Sequence, residues 1–402
     1  MRITREVMEC LKRWHNVGMV EWFLRRFPEG EAEYQDVLNA AAADGESYYA
    51  YALMKSIKSE TTIEVDAITD CKHFFAAGNL VIKTSAIISG KLYAGGSIQA
   101  GEDITAKGGI WTTHCVSAGK NINTDSIEAD RIVAGGYIKA DGPIRAEWEI
   151  TAGDYIKAGG VIEALQRSDS SRHVGIKAGT YIKGEYIKAV SRIEAGTDIT
   201  ASDLIEGDYI TTGLLRYDTN DEENKTGGDI VSRGDIQARS TIKAGGNIKA
   251  GRDIKAGDNI LAWQGIDAGE AIEAIGGIRA STNIKAGGKI NVGHAHAGTD
   301  IEAEYDIVCG STLEAGRNLE SGGDIKAGAI DAGGNIEARG SILSGSSITG
   351  AHIEARIGIF AGLNERRESW PTRAKVTAAT KPDNLNSGFW VEPEDPNGEL
   401  GK

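Results

Sequence analysis

Two histidines one residue apart, His294 and His296 in GHAHAG, are the sequence's best candidate for metal chemistry. On an extended strand, side chains two apart point the same way, so H-x-H offers two imidazoles to one cation. No third ligand is apparent, and His296 falls in a slot that neighbouring segments fill with isoleucine, so a structural corner is the expected role. Pieces such as AGGNI and GGDI look like fragments of phosphate-cradling loops, but they recur too often to be sites. No G-x-S-x-G elbow, HExxH pair or P-loop occurs. The expectation is a protein with no enzymatic activity, no metal and no other cofactor.

The same short pieces reveal the element that must position everything else. In TIKAGGNIKAGRDIKAGDNI (241–260), Ile242, Ile248, Ile254 and Ile260 recur every six residues, each followed two places later by alanine. The spacing runs through Leu92 to Ile122, Ile132 to Ile162 and Ile230 to Ile290, then resumes after one-residue slips at Ile301, Ile330 and Ile353. A helix needs apolar residues every three or four positions, so six is the wrong period. Within a unit, Ile-x-Ala alternates in and out as a strand does. The glycine after alanine is expected to turn the corner with positive φ, and a polar residue, often Asn or Asp, fills the bend before the next isoleucine. Such a face cannot bury its isoleucine alone; stacked turns can.

The simplest closed solution is a mainly β fold, a three-faced parallel β-helix of about 18 residues per coil. Roughly fourteen coils at about 4.8 Å each give a length of about 65–70 Å. The period leaves handedness open. In this register Lys249, Asp267 and Lys285 share a column, Arg145 lies beside Glu163, and Tyr137 stacks on Tyr155. These are favourable cross-strand neighbours, whereas Lys139 over Lys157 is not.

Four regions follow. Residues 1–60 carry helical periods (Val7, Leu11; Val20, Phe23, Leu24, Phe27; Tyr34, Val37, Leu38, Ala41; then Tyr48 to Ile57) and read as a small helical domain of three or four helices. Residues 61–91 read as irregular transition strands. Residues 92–362 form the solenoid, with polar insertions at 165–175 and 213–228. Residues 363–402 read as a cap and tail, with WPTRAKVTAAT and SGFWVEP as two strands that set Trp370, Phe389 and Trp390 on the last coil.

The bulk numbers agree. Glycine is 53 of 402 residues with only 6 prolines, which excludes collagen, and regularly placed isoleucine argues against disorder. The formal net charge of −14 disfavours direct nucleic-acid binding. Cys10, Cys71, Cys115 and Cys309 are scattered and read as thiols of a reducing compartment. With no apolar run of membrane-spanning length and a charged N-terminus, a cytoplasmic protein is expected, away from membranes.

Hexapeptide repeats also occur in the left-handed β-helix acyltransferases, where Gly, Ala or an acid follows the aliphatic residue. Here Lys or Glu usually follows, so a transferase is a secondary reading, as is a carbohydrate-binding solenoid. An acidic nucleic-acid mimic is disfavoured because the positions after each isoleucine hold basic and acidic residues in equal number, with no acidic stripe. What remains is surface for partners. The candidates are Tyr137, Tyr155, Tyr181, Tyr186 and Tyr209 at corners, Trp111, Trp148 and Trp263 at non-core places, and Asp221, Glu222 and Glu223 in the second insertion.

The segment EWFLRRFPEGEAEYQDVLNA, joined to AGGxIxAG repeats and ending in IFAGL and SGFWVEP, resembles accessory proteins of phages and prophages of enteric bacteria, over nearly the whole chain. The resemblance carries no catalytic residues. It implies an inhibitor or adaptor that occludes a bacterial host protein or complex, such as a defence complex. More distantly the repeats resemble bactofilin-type polymer-forming β-helices, which have bare, stackable ends; here both ends read as covered, which argues against polymerisation, and a homo-oligomer or a structural, virion or filament role is a secondary reading.

Overall fold

The computed structural model describes residues 1–12, 18–165, 175–189, 192–195, 197–207, 209–212, 228–362 and 374–393. The chain divides into two compact units, Met1–Glu194 and Ala195–Lys402. Both are parallel β-solenoids, together about 16 turns, and the first also carries the helical region.

In the first unit, α1 (Arg5–Lys12), α2 (Gly18–Arg26), α3 (Tyr34–Asp44) and α4 (Ser47–Ser56) bury Met8, Trp22, Phe23, Val37, Leu38 and Leu53 against one another. A short antiparallel pair, Arg2–Thr4 with Glu31–Glu33, closes the chain start over this core. Gly45 at φ 78° ends α3, a conformation that strains residues with a Cβ. The Trp22 indole N–H donates to Asp44 Oδ2 at 2.8 Å, and Arg26 holds the same carboxylate, tying α2 to the end of α3.

This helical core sits on the flank of the first coils. Phe75, Tyr93 and Trp111 form one outward column by strand pairing. Tyr51 of α4 meets Trp111 edge-on at 4.6 Å between ring centroids. Gln35 of α3 donates to the Phe75 carbonyl and accepts from the Ala77 N–H, at 2.7 and 2.9 Å.

The solenoid begins earlier than the hexapeptide period shows. Thr62–Val65 already pairs in parallel with Asn79–Ile82, so the stretch read as irregular transition strands belongs to the coils. It also continues past the last isoleucine repeat: Ile348 pairs with Val376, and Val376 with Trp390. The Trp390 indole N–H donates to the Ala378 carbonyl at 2.8 Å. Trp370 lies outside the described residues. Most of both insertions does too; Ile150 pairs with Ile176 and Ile199 with Ile230, so the coils close across them.

Every third strand pairs, which makes three faces per coil: Ile230 with Ile248 and Ile266, Ile236 with Ile254 and Ile272, Ile242 with Ile260 and Ile278. These isoleucines are fully buried in stacked rows, the alanines two places on nearly so, and the residue between faces out. That is the alternation of a strand with one buried face.

Two details depart from the sequence reading. Most repeat glycines do not take positive φ; among the described residues only Gly30, Gly45, Gly109, Gly362 and Gly388 do. At Gly251 the reason is crowding: a Cβ there would lie 1.9 Å from the Arg233 carbonyl oxygen of the coil before. Likewise His296 does not occupy an isoleucine slot. Ala295 does, aligned with Ile278 and Leu313, and His296 faces out.

Many of the Asn and Asp residues that precede an isoleucine have a defined task. The side-chain oxygen accepts the backbone N–H of the equivalent residue one coil on. Asp103 serves Asn121 and Asn121 serves Tyr137, at 3.0 and 2.9 Å. Asp235 serves Asp253 and Asp253 serves Ala271, at 3.2 and 2.9 Å. Asp300 serves Asn318 and Asn318 serves Asn335, at 3.0 and 3.1 Å. Corner N–H groups lie outside the strand ladders and need such an acceptor. This explains the recurrent GGN and GGD spellings without any phosphate ligand.

Candidate interaction surface

The corner column headed by Asp103 and Asn121 changes character at Tyr137. Here the residue before the isoleucine is tyrosine in three successive coils, and the rings stack. Tyr137 and Tyr155 lie 4.9 Å apart at 5°, Tyr155 and Tyr181 4.9 Å apart at 3°. The strand spacing of about 4.8 Å sets that distance, and flat rings stack face to face at it. Burial, helped by the neighbouring Tyr181 and Tyr137 phenols, pushes the Tyr155 hydroxyl above the usual tyrosine range. Tyr155 therefore presents its hydroxyl, not a phenolate, at neutral pH.

Beside it runs a lysine row. Lys139 pairs with Lys157 and Lys157 with Lys183. Other outward neighbours are opposite in sign: Arg145 meets Glu163 at 3.0 Å, and Lys249 meets Asp267 at 3.3 Å. No ion pair joins Lys139, Lys157 or Lys183 to another described residue.

The other sequence candidates disperse. Trp111 is 7 % exposed and packs against Tyr51 and Tyr93, so α4 has taken the face assigned to a partner. Trp148 and Trp263 are exposed at separate corners. Tyr209 opens the strand Tyr209–Thr212 and Tyr186 lies within Ile182–Ala189, but their side chains lie outside the described residues. So do Asp221, Glu222 and Glu223.

A second surface was hidden by counting charges without pairing them. The absence of an acidic stripe does not hold in the second unit, where Glu302, Glu320, Glu337 and Glu354 form one column. Burial first, then Glu302 and Glu337, push the Glu320 carboxyl above its ordinary value. The column lines an open groove of about 1200 Å³, flanked by Tyr305 and by the 380–384 segment. Tyr305 is 64 % exposed and Ile357 67 %. The signal that would have found the column is the 17- and 18-residue spacing across the register slips.

His294 and His296 both face outward. The His294 ring lies over Gly277, and His296 Nδ1 is 3.0 Å from Glu314 Oε2. Among the described residues no group of three or more His, Cys, Asp or Glu is placed to hold a metal ion.

Residues 1–59 match the family model of the YdhT N-terminal domain. The match covers strand Arg2–Thr4, helices α1 to α4 and the first residues beyond them, the region that buries Trp22, Phe23 and Leu38. It ends just before the first solenoid strand at Thr62, so the YdhT-type region and the coils meet where the packing changes character. No curated protein matches the chain, and no solved structure does. No helix among the described residues is long and apolar enough to cross a membrane.

Proposed function

We propose that this is a non-enzymatic interaction protein whose solenoid flank engages a macromolecular partner. The observation that carries the reading is the stacked row Tyr137, Tyr155 and Tyr181. Rigid aromatic side chains held half-exposed by backbone register lose little conformational entropy on binding, and tyrosine is favoured at interface anchors for that reason. The resemblance to phage and prophage accessory proteins makes a bacterial host protein or complex the partner, occluded rather than chemically altered.

The test is a tagged pull-down from nuclease-treated bacterial lysate at physiological salt, followed by reconstitution with the purified retained protein. The reading expects one protein bound in fixed ratio, and at least about tenfold weaker binding to the Tyr137→Ala, Tyr155→Ala, Tyr181→Ala triple variant. Binding that ignores the triple variant, or turnover of an acyl donor by the purified chain, overturns it.

A further inference from the structure

The lysine row and the glutamate row are each anomalous in the same way. Like charges directly opposite across a strand pair are destabilising, and most columns of this solenoid avoid them. The chain nevertheless keeps Lys139, Lys157 and Lys183 in register in one unit, and Glu302, Glu320, Glu337 and Glu354 in register in the other. Lys285 caps the acidic row at Glu302, at 2.9 Å, but Glu320 and Glu337 form no ion pair with another described residue.

Both rows are ruled by the same backbone. Successive charges in each stand one strand apart, about 4.8 Å. A row of ammonium groups and a row of carboxylates with equal pitch mesh tooth by tooth, which an unrelated anionic surface has no reason to do. The sequence supplies the matching row itself, and the glutamates line an open groove of about 1200 Å³ that also holds Lys285, Arg339, Arg356 and Lys381.

We propose that the lysine row of one copy docks on the glutamate row of a second copy, so that the protein self-associates through charge-matched solenoid flanks. Each docked copy neutralises a like-charge column that is unfavourable in the isolated chain. If both row pairs engage reciprocally, the assembly closes as a dimer; if one engages, it extends head to tail. This goes beyond the tyrosine-row reading and uses different side chains.

The test is sedimentation velocity of the purified full chain over a concentration series, from about 0.02 M to about 0.5 M salt. The proposal expects a mass above monomer at low salt that falls toward monomer at high salt. The Lys139→Glu, Lys157→Glu, Lys183→Glu triple variant is expected to weaken association on the order of a hundredfold, as is the Glu320→Lys, Glu337→Lys, Glu354→Lys variant. An equimolar mixture of the two reversed variants is expected to associate again, which a misfolded variant cannot do.

A chain that stays monomeric at low salt overturns the proposal, as does association indifferent to both reversals or a mixture that fails to recover. A monomer that binds heparin or a single-stranded oligonucleotide through the lysine row also overturns it, and gives that row to a polyanion. A monomer that still retains a host protein through the tyrosines overturns this proposal alone.

Discussion

Replacing Asp253 tests the corner ladder directly. Its Oδ1 accepts the Ala271 N–H at 2.9 Å, and its Oδ2 lies 2.8 Å from Lys255 Nζ. Alanine removes both. An N–H left without its acceptor at a half-buried corner costs about 1–2 kcal/mol, and the exposed Lys255 pair adds at most about 0.5 kcal/mol. Asparagine keeps the acceptor and loses only the charge. The expected order is therefore wild type, then Asp253→Asn within about 0.5 kcal/mol, then Asp253→Ala lower by about 1–2 kcal/mol.

The pH dependence carries a sign. Burial pushes the Asp253 carboxyl up, but Lys255 and the Ala271 N–H outweigh it and hold the carboxyl below its ordinary value. A lowered folded pKa contributes stability above the unfolded value, lost as pH falls through the folded one. The gap between wild type and Asp253→Asn should close below about pH 4. Solenoid stability is a sum of local and nearest-neighbour terms, so the readout is amide hydrogen exchange by strand. Faster exchange is expected at Ala271 and in Ile254–Ala256 and Ile272–Ala280, with Ala86–Ile88 unchanged. If Asn proves as harmful as Ala, the side-chain oxygen is not what holds the corner.

Three further outcomes follow from the same geometry. Glu320→Gln removes two like-charge contacts in the acidic column and should raise stability by about 0.5–1 kcal/mol at low salt, less in high salt; because the Glu320 carboxyl is raised by burial and by Glu302 and Glu337, its protonation favours the folded state below the ordinary carboxylate range, and that benefit is lost as pH rises through the folded pKa. Denaturation of both proteins across salt and pH checks this. Gly251→Ala and Gly251→Asn should be about equally damaging, roughly 1–3 kcal/mol by thermal unfolding, because the obstacle is the Arg233 carbonyl; marked tolerance of Asn would point back to a left-handed corner. Trp111→Ala should cost the contact between the helical region and the coils about 3–5 kcal/mol and speed proteolytic release of residues 1–59, whereas unchanged proteolysis would show that Trp111 does not hold the contact.

Much of the coil architecture was legible because isoleucine at every sixth position has one physical explanation, a short buried face, and stacking is the only way to bury it. The pairing of Arg145 with Glu163 and the stacking of Tyr137 on Tyr155 follow from counting eighteen residues. Strands near Thr62 and Val376 were expected, but that they pair into the coils was not legible, because their inward residues vary and their spacing is irregular. Trp111 was misassigned because a local pattern places it outward on its strand, and only the distant α4 makes that outward face an interior.

By itself the sequence determined the strand period, the inward row and the helical beginning, since each rests on local periodicity and on the burial of apolar side chains. Tertiary structure alone decided three things. Glycine is required at Gly251 by the carbonyl of the coil before. Asp253 serves the corner of the coil after. Lys183 joins Lys139 and Lys157, which the register already set together, and the glutamates collect into one row across the register slips. All three are contacts between coils, where residues 17 or 18 apart, or 26 across the first insertion, stand one strand width from each other, and a single slip in register reassigns every such neighbour.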